Sequence, residues 1–233
     1  IITYRITFTN IHYTFLFLST PLPVRFSVNT PYAAAQKLSP NELALKGEYA
    51  TPPPHMFRWE VITYYVKLFG FRIGAEIGVS KGENFINCMK LNTTLKLYGI
   101  DSYESEGNSL ERYDEGIYEG REKNSMIERA EKIEKLFTGR ASMIYLDSKE
   151  ASEFIPNGHL DFVFIDADHT YEGVQRDIEL WEPKVKENGL LMGHDLNWGS
   201  VARAVGENFK NFWIAPDNVW ASPKIWLKKR LDI

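Results

Sequence analysis

Five acidic residues, Glu76, Asp101, Asp147, Asp166 and Asp195, each lie at or just past the end of an apolar run. Small or polar residues accompany them: Glu76-Ile-Gly78-Val-Ser-Lys-Gly82, Asp147-Ser148, Asp166-Ala-Asp168-His169 and His194-Asp195. Glycines at such a turn let the backbone approach a ligand closely, and the start of a following helix offers free N–H donors. A dinucleotide loop would place its first glycine where Glu76 stands, and a carboxylate there repels phosphate. It suits a cationic ligand, such as the ammonium of an amino acid; the alternative is a plain tight turn. Asp101 stands roughly 20 residues beyond the glycines, where an acid commonly grips ribose hydroxyls, unless it is only a solvated strand end. Asp147 and Ser148 can meet the exocyclic amine and ring nitrogen of a purine, or merely cap the helix that follows.

These residues need a scaffold that brings strand ends together. Helical spacing of Phe57, Val61, Tyr64, Tyr65 and Leu68, closed by Gly70, predicts a first helix. Strands are expected over 72–77, 95–100, 141–146, 160–165 and 190–193, with helices over 84–91, 125–137, 174–186 and 201–209. Alternating strands and helices imply an α/β fold with a doubly wound, mostly parallel, Rossmann-like sheet. Two β-like pieces, over 218–221 and 224–231, are joined by Ser222-Pro223 and predict a C-terminal antiparallel hairpin at the sheet edge. In such sheets ligands bind beyond the carboxyl ends of the strands.

Residues 1–55 read differently: a β-leaning segment rich in Ile, Thr, Tyr and Phe, then Pro21, Pro23 and Pro31, then the stiff stop Thr51-Pro52-Pro53-Pro54. A short helix is expected over 33–45. We expect an N-terminal extension over 1–55 and the main domain over 56–233, with the aromatic N-terminal strand a candidate homodimer element. The chain opens on Ile1 rather than Met, so a longer natural N-terminus is expected.

Composition narrows the function classes. Net charge is −4 over 233 residues, with no basic stripe, so a nucleic-acid partner is not expected. No apolar run reaches the roughly 20 residues of a membrane span. No basic flank or cleavage site marks a signal peptide, and a cytoplasmic setting is expected. The single cysteine, Cys88, excludes an internal disulfide framework and reads as a buried, inert thiol. The stretch 101–119 carries seven acids against one Arg, with three tyrosines, and reads as a solvated acidic loop or a lid.

Taken in order, Glu76-x-Gly78-x-x-x-Gly82, Asp101, Asp147-Ser148 and Phe164-Ile-Asp166-Ala-Asp168-His169 resemble the class I S-adenosylmethionine-dependent methyltransferases. The nearest flavour is the small-molecule O-methyltransferase group of catechol, caffeoyl-CoA and macrocin types, and the resemblance covers residues 56–233. It implies that Gly78 and Gly82 pass under the methionine part of S-adenosyl-L-methionine while Glu76 helps to hold its amino group. Asp101 would bind the ribose and Asp147 with Ser148 the adenine. Asp166 would lie near the sulfonium and the reacting hydroxyl of a small-molecule acceptor.

The same resemblance implies an Mg²⁺-type ion, and Asp166 and Asp195 match its carboxylate positions. His194-Asp195-Leu196 departs from the Asp-Asn pair of the caffeoyl-CoA type: either Leu196 replaces a ligand or His194 supplies one a register earlier. Mg²⁺ prefers hard oxygen donors, whereas an imidazole also admits Mn²⁺, Fe²⁺ or Zn²⁺. In the macrocin type a histidine three residues past the Asp166 position acts as general base, the place His169 holds here. Alternatively His169 caps the next helix or orients Asp168. Trp198 can wall an acceptor pocket. Rival readings are an NAD(P)-dependent oxidoreductase on a similar sheet and a non-catalytic cofactor-binding protein; Glu76 argues against the first and the acids at the strand ends against the second.

Overall fold

The computed structural model describes residues 3–8, 11–16, 38–103 and 121–226. The chain divides into two compact units, 1–36 and 37–233. In the first, strands β1 (Thr3–Phe8) and β2 (Ile11–Leu16) pair antiparallel. The second begins with helix α1 (Pro40–Leu45), capped by Ser39 and Glu42 in a reciprocal box. Ala44 and Ala50 are buried in its main core, so residues 38–55 belong to this unit by packing. Of the helix expected over 33–45, the part before residue 38 lies outside the described residues.

Helix α2 (Arg58–Phe69) ends on Gly70 in the left-handed conformation, as its pattern predicts. Then follow β3 (Ile73–Ile77), α3 (Glu83–Leu91), β4 (Lys96–Ile100), α4 (Arg121–Leu136), β5 (Ala141–Ile144), α5 (Ser148–Phe154), β6 (Leu160–Ile165) and α6 (Tyr171–Trp181). Strand β7 (Val185–Gly193), helix α7 (Gly199–Asn208) and strands β8 (Trp213–Ile214) and β9 (Trp220–Pro223) complete the unit. The sheet order is β5-β4-β3-β6-β7-β9-β8. The first five strands run parallel; β9 is antiparallel to both β7 and β8.

Alternation along the central strands sets the two faces. Phe162, Phe164, Leu190 and Met192 join a core with α2, α3 and Ile133 of α4; Val163, Ile165 and Leu191 join the opposite core with α5, α6 and α7. This is the doubly wound sheet that the sequence predicts, with helices on both sides. Cys88 is buried in α3, where burial pushes its thiol up and keeps it unreactive.

Boundaries differ from expectation chiefly around the last parallel strand and at the edge hairpin, while α4 starts at Arg121 and β5 ends at Ile144. The helix expected over 174–186 starts at Tyr171 and stops at Trp181, because Pro183 forces a 3₁₀ turn and the chain enters β7 at Val185. The edge hairpin forms earlier than its composition suggests, from β8 and β9 about a turn at Pro216-Asp217-Asn218. Lys224 then begins a 3₁₀ turn whose ammonium is buried against Glu182 (3.2 Å) and the carbonyl of Val185 (2.7 Å). The remainder of the piece expected over 224–231, and most of the acidic stretch 101–119, lie outside the described residues.

Candidate active site

Hydrogen bonds just beyond the strands align their carboxyl ends. Gly78 N donates to Ile100 O (2.9 Å), Asp101 N to Ile144 O (3.2 Å), Asp166 N to Ile77 O (2.8 Å) and His194 N to Ile165 O (3.0 Å). These rungs place Gly78, Asp101, Asp166 and His194 in one row. The row straddles β3 and β6, where the strand order reverses and the loops diverge to opposite faces of the sheet.

The glycine loop is tightly constrained. Gly78 has φ +88°, and a Cβ there would come within 2.2 Å of Asp166 O; Gly82 has φ +75° and opens α3. No other residue satisfies both demands at Gly78. Asp101 holds this loop from the next strand: Oδ2 accepts from Val79 N (3.0 Å) and Ser80 N (2.7 Å), and Oδ1 from Tyr103 N (2.8 Å). A carboxylate offers about four acceptor positions, so one is left for a ligand hydroxyl. Asp101 therefore shapes the loop as well as facing it.

Glu76 is 3% exposed, and its Oε2 has no hydrogen-bond partner among the described residues. Burial first, and then the negative charge of Asp166, push its carboxyl well above the usual range, with Asn84 and Arg58 partly offsetting them. An isolated buried acid is costly, and a cationic ligand would relieve it.

Asp147 and Ser148 are split by the fold. Asp147 caps α5, accepting from Glu150 N at 2.7 Å. The Ser148 hydroxyl turns toward α6, donating to Asp177 (2.6 Å) and accepting from Trp181 Nε1 (2.8 Å). Asp177 is wholly buried, which raises its carboxyl to about 6 despite the Ser148 bond. The hydroxyl of Ser148 is thus engaged inside the protein rather than presented to a purine.

The richest chemistry gathers at the ends of β6 and β7. His169 Nε2 lies 2.8 Å from Asp195 Oδ2 and 3.6 Å from Asp166 Oδ1. Asp166, His169 and Asp195 bring one ligand atom each within 4.8 Å of one another, a set able to hold a metal ion. Two carboxylates and one imidazole suit a divalent cation of the Mg²⁺ to Mn²⁺ and Fe²⁺ range. Asp195 reaches this position with φ +55°, which Asp tolerates better than most residues. Its other oxygen, Oδ1, lies 3.1 Å from His194 Nδ1. His169, rather than the expected His194, completes the three-residue set; the His194 ring is buried beside it, its Nε2 without a hydrogen-bond partner among the described residues and 3.8 Å from Asp217 Oδ1.

His169 is not a helix cap, because Thr170 caps α6 by accepting from Gly173 N. Burial draws its imidazole down, but Asp166 and Asp195 together outweigh burial and raise it to about 10. Burial opposes, and His169 and His194 overcome, so that Asp195 is held well below the usual carboxylate range. His169 therefore holds its proton at neutral pH while Asp166 and Asp195 face it, even with Arg58 on the other oxygen of Asp166. It becomes a better proton acceptor where a further cation offsets the two carboxylates. Trp198, 40% exposed, lies beside His169 with ring centroids 4.9 Å apart and the ring planes tilted by 44°.

Two members of the cluster were missed from sequence. Arg58, at the start of α2, places Nη1 2.7 Å from Asp166 Oδ2 and 3.5 Å from His194 Nδ1. Asp217, in the β8–β9 turn, accepts from Arg58 N at 2.8 Å. Neither belongs to a strand-end motif, so no local pattern marks them.

A family model described as a methyltransferase domain matches residues 75–196, over half the chain. No curated protein matches the sequence significantly. Among solved structures, the chain resembles a candidate caffeoyl-CoA O-methyltransferase from Staphylococcus aureus, at 16% identity and TM-score 0.52 over 77% of this chain and 87% of that one. It also resembles the cofactor-bound Rv0187 from MTB, at 11% identity and TM-score 0.51 over 72% and 79% of the two chains. A protein from Corynebacterium glutamicum aligns at 12% identity and TM-score 0.51, over 85% and 92%. At these identities the likeness is one of fold.

Proposed function

The chain belongs to the methyltransferase-domain family, and we propose that it transfers the methyl group of S-adenosylmethionine to a hydroxyl oxygen of a small molecule, such as a sugar or phenol, with divalent-metal assistance. The observation that carries this reading is Glu76, a buried carboxyl beside the glycine loop with an oxygen that has no partner among the described residues. An ammonium would stabilise its ionised form whereas a phosphate would oppose it, so the loop suits the methionine end of that cofactor rather than a dinucleotide.

S-adenosylmethionine supplies a methyl group on a positively charged sulfur, ready for in-line displacement. Gly78 and Gly82 would let the backbone approach it, Glu76 would meet its amino group, and Asp101 would offer an acceptor position to the ribose. Asp147 would serve the adenine end.

Support for oxygen as the acceptor atom comes from the cluster at β6 and β7. A divalent cation held by Asp166 and Asp195 would polarise a hydroxyl and lower its pKa. With a cation offsetting the two carboxylates, less would hold the proton on His169, and its imidazole could take the hydroxyl proton. One imidazole cannot ligate and deprotonate at once, so His169 would serve as base where the carboxylates alone hold the ion. Trp198 walls the acceptor side.

Calorimetry with S-adenosylhomocysteine and NAD⁺, followed by transfer of labelled methyl to a panel of hydroxyl compounds, tests the reading. One site per chain for S-adenosylhomocysteine, and label appearing on oxygen, are expected. Preference for NAD⁺, or binding without transfer to any acceptor, would overturn it.

A further inference from the structure

The cluster at β6 and β7 already has a cation leaning on it. Arg58 comes from α2, 108 positions before Asp166 in sequence, yet its guanidinium takes Asp166 Oδ2 at 2.7 Å. The two oxygens of Asp166 are thereby divided: Oδ2 faces Arg58, and Oδ1 faces His169 Nε2 at 3.6 Å and His194 Nδ1 at 3.8 Å. The guanidinium also has a second carboxylate within reach. Asp217 Oδ2 accepts from the Arg58 backbone N at 2.8 Å and lies 3.9 Å from Nε. Asp217 is 30% exposed, so a shift toward it takes the guanidinium nearer to solvent.

A divalent ion held by Asp166 and Asp195 beside His169 would share Asp166 with a fixed positive charge a few ångströms away. Like charges at that separation repel strongly in a partly buried site, less so as solvent screens them. The two cations cannot both make full use of Asp166.

We propose that Arg58 is a built-in rival to the divalent cation: its guanidinium neutralises Asp166 while the metal is absent and transfers to Asp217 when the metal enters. This rests on the metal-assisted reading of the same cluster. Arg58 is then a positioning residue that sets metal affinity, and Asp217 is the partner that receives it.

The test is Mn²⁺ binding to the full chain, followed by calorimetry and by the electron paramagnetic resonance of free Mn²⁺. Arg58→Gln should bind Mn²⁺ roughly tenfold to a hundredfold more tightly than the unaltered protein, because the repulsion is gone. Arg58→Lys keeps the charge and should stay within about threefold of it. Asp217→Asn should bind Mn²⁺ more weakly, because the displaced guanidinium loses its receiver, while an amide oxygen still accepts from the Arg58 backbone. If Arg58→Gln fails to melt cooperatively, Asp217→Asn decides alone. Unchanged or weaker binding in a folded Arg58→Gln, or unchanged binding in Asp217→Asn, overturns the proposal. Absence of Mn²⁺ binding in every variant also overturns it. In that case S-adenosylhomocysteine binding, measured on the same samples, shows separately whether the methyltransferase reading survives.

Discussion

Replacing Glu76 by Gln removes one proton-binding site and leaves shape and volume almost unchanged. In the unliganded protein burial and the charge of Asp166 keep Glu76 well above the ordinary carboxyl range, so its neutral form is favoured. Gln is also neutral, so unfolding free energy should change by less than about 1 kcal/mol at neutral pH. Binding is another matter. An ammonium beside Glu76 restores its ionised form and makes a charge-assisted hydrogen bond worth about 1.5–3 kcal/mol, which Gln cannot match. Affinity for S-adenosylhomocysteine should therefore fall about 10- to 150-fold. The ionisation has its own signature. Binding to the unaltered protein should release protons, seen as a dependence of the calorimetric enthalpy on buffer ionisation heat, and Glu76→Gln should lose that dependence. Affinity should also weaken as pH falls below the raised pKa of Glu76, since ligand and proton compete for one carboxylate. Equal affinity in the variant, or equal proton release, would refute the assignment of Glu76 to the amino group.

Gly78→Ala should cost roughly 2–4 kcal/mol of stability, from its left-handed φ and its approach to Asp166 O, and should abolish S-adenosylhomocysteine binding; chemical denaturation and calorimetry read both. Without divalent ions, His169 contributes stability that is complete below its ordinary pKa near 6.5 and is lost as pH rises through about 10. Urea melts across that window should show a decline of roughly a few kcal/mol at most, smaller in Asp195→Asn, where Asp166 alone still holds the proton. Chelation should lower turnover about a hundredfold or more, restored by Mg²⁺ or Mn²⁺, with S-adenosylhomocysteine binding unchanged. Trp198→Ala should raise the acceptor KM about tenfold, as measured by steady-state kinetics, and leave cofactor affinity alone.

Much of this molecule follows from local pattern. Apolar runs punctuated by glycines and acids determine a parallel sheet, because a strand buried on both faces must be continuously apolar and its first polar residue must fall at its end. That rule alone places Glu76, Asp101, Asp166 and Asp195 on one edge of the sheet, and the left-handed glycines of the loop follow from the same turn. The sequence could not say which way each side chain turns from that edge. Ser148 shares its motif with Asp147, yet its hydroxyl belongs to Asp177 and Trp181 on α6, a contact that depends on how two helices pack. His169 and His194 look interchangeable as partners of Asp195. The positive φ of Asp195 and the Thr170 cap decide that Nε2 of His169 joins both carboxylates. Arg58 and Asp217 lie in a helix start and a hairpin turn, where such residues are ordinary. Only the tertiary fold, which sets β9 and β8 beyond β7 and packs α2 on the sheet with its first residue at the end of β6, turns them into neighbours of Asp166. Periodicity is a property of neighbours in sequence and is written locally; a charge pair spanning 108 positions is written by the whole fold.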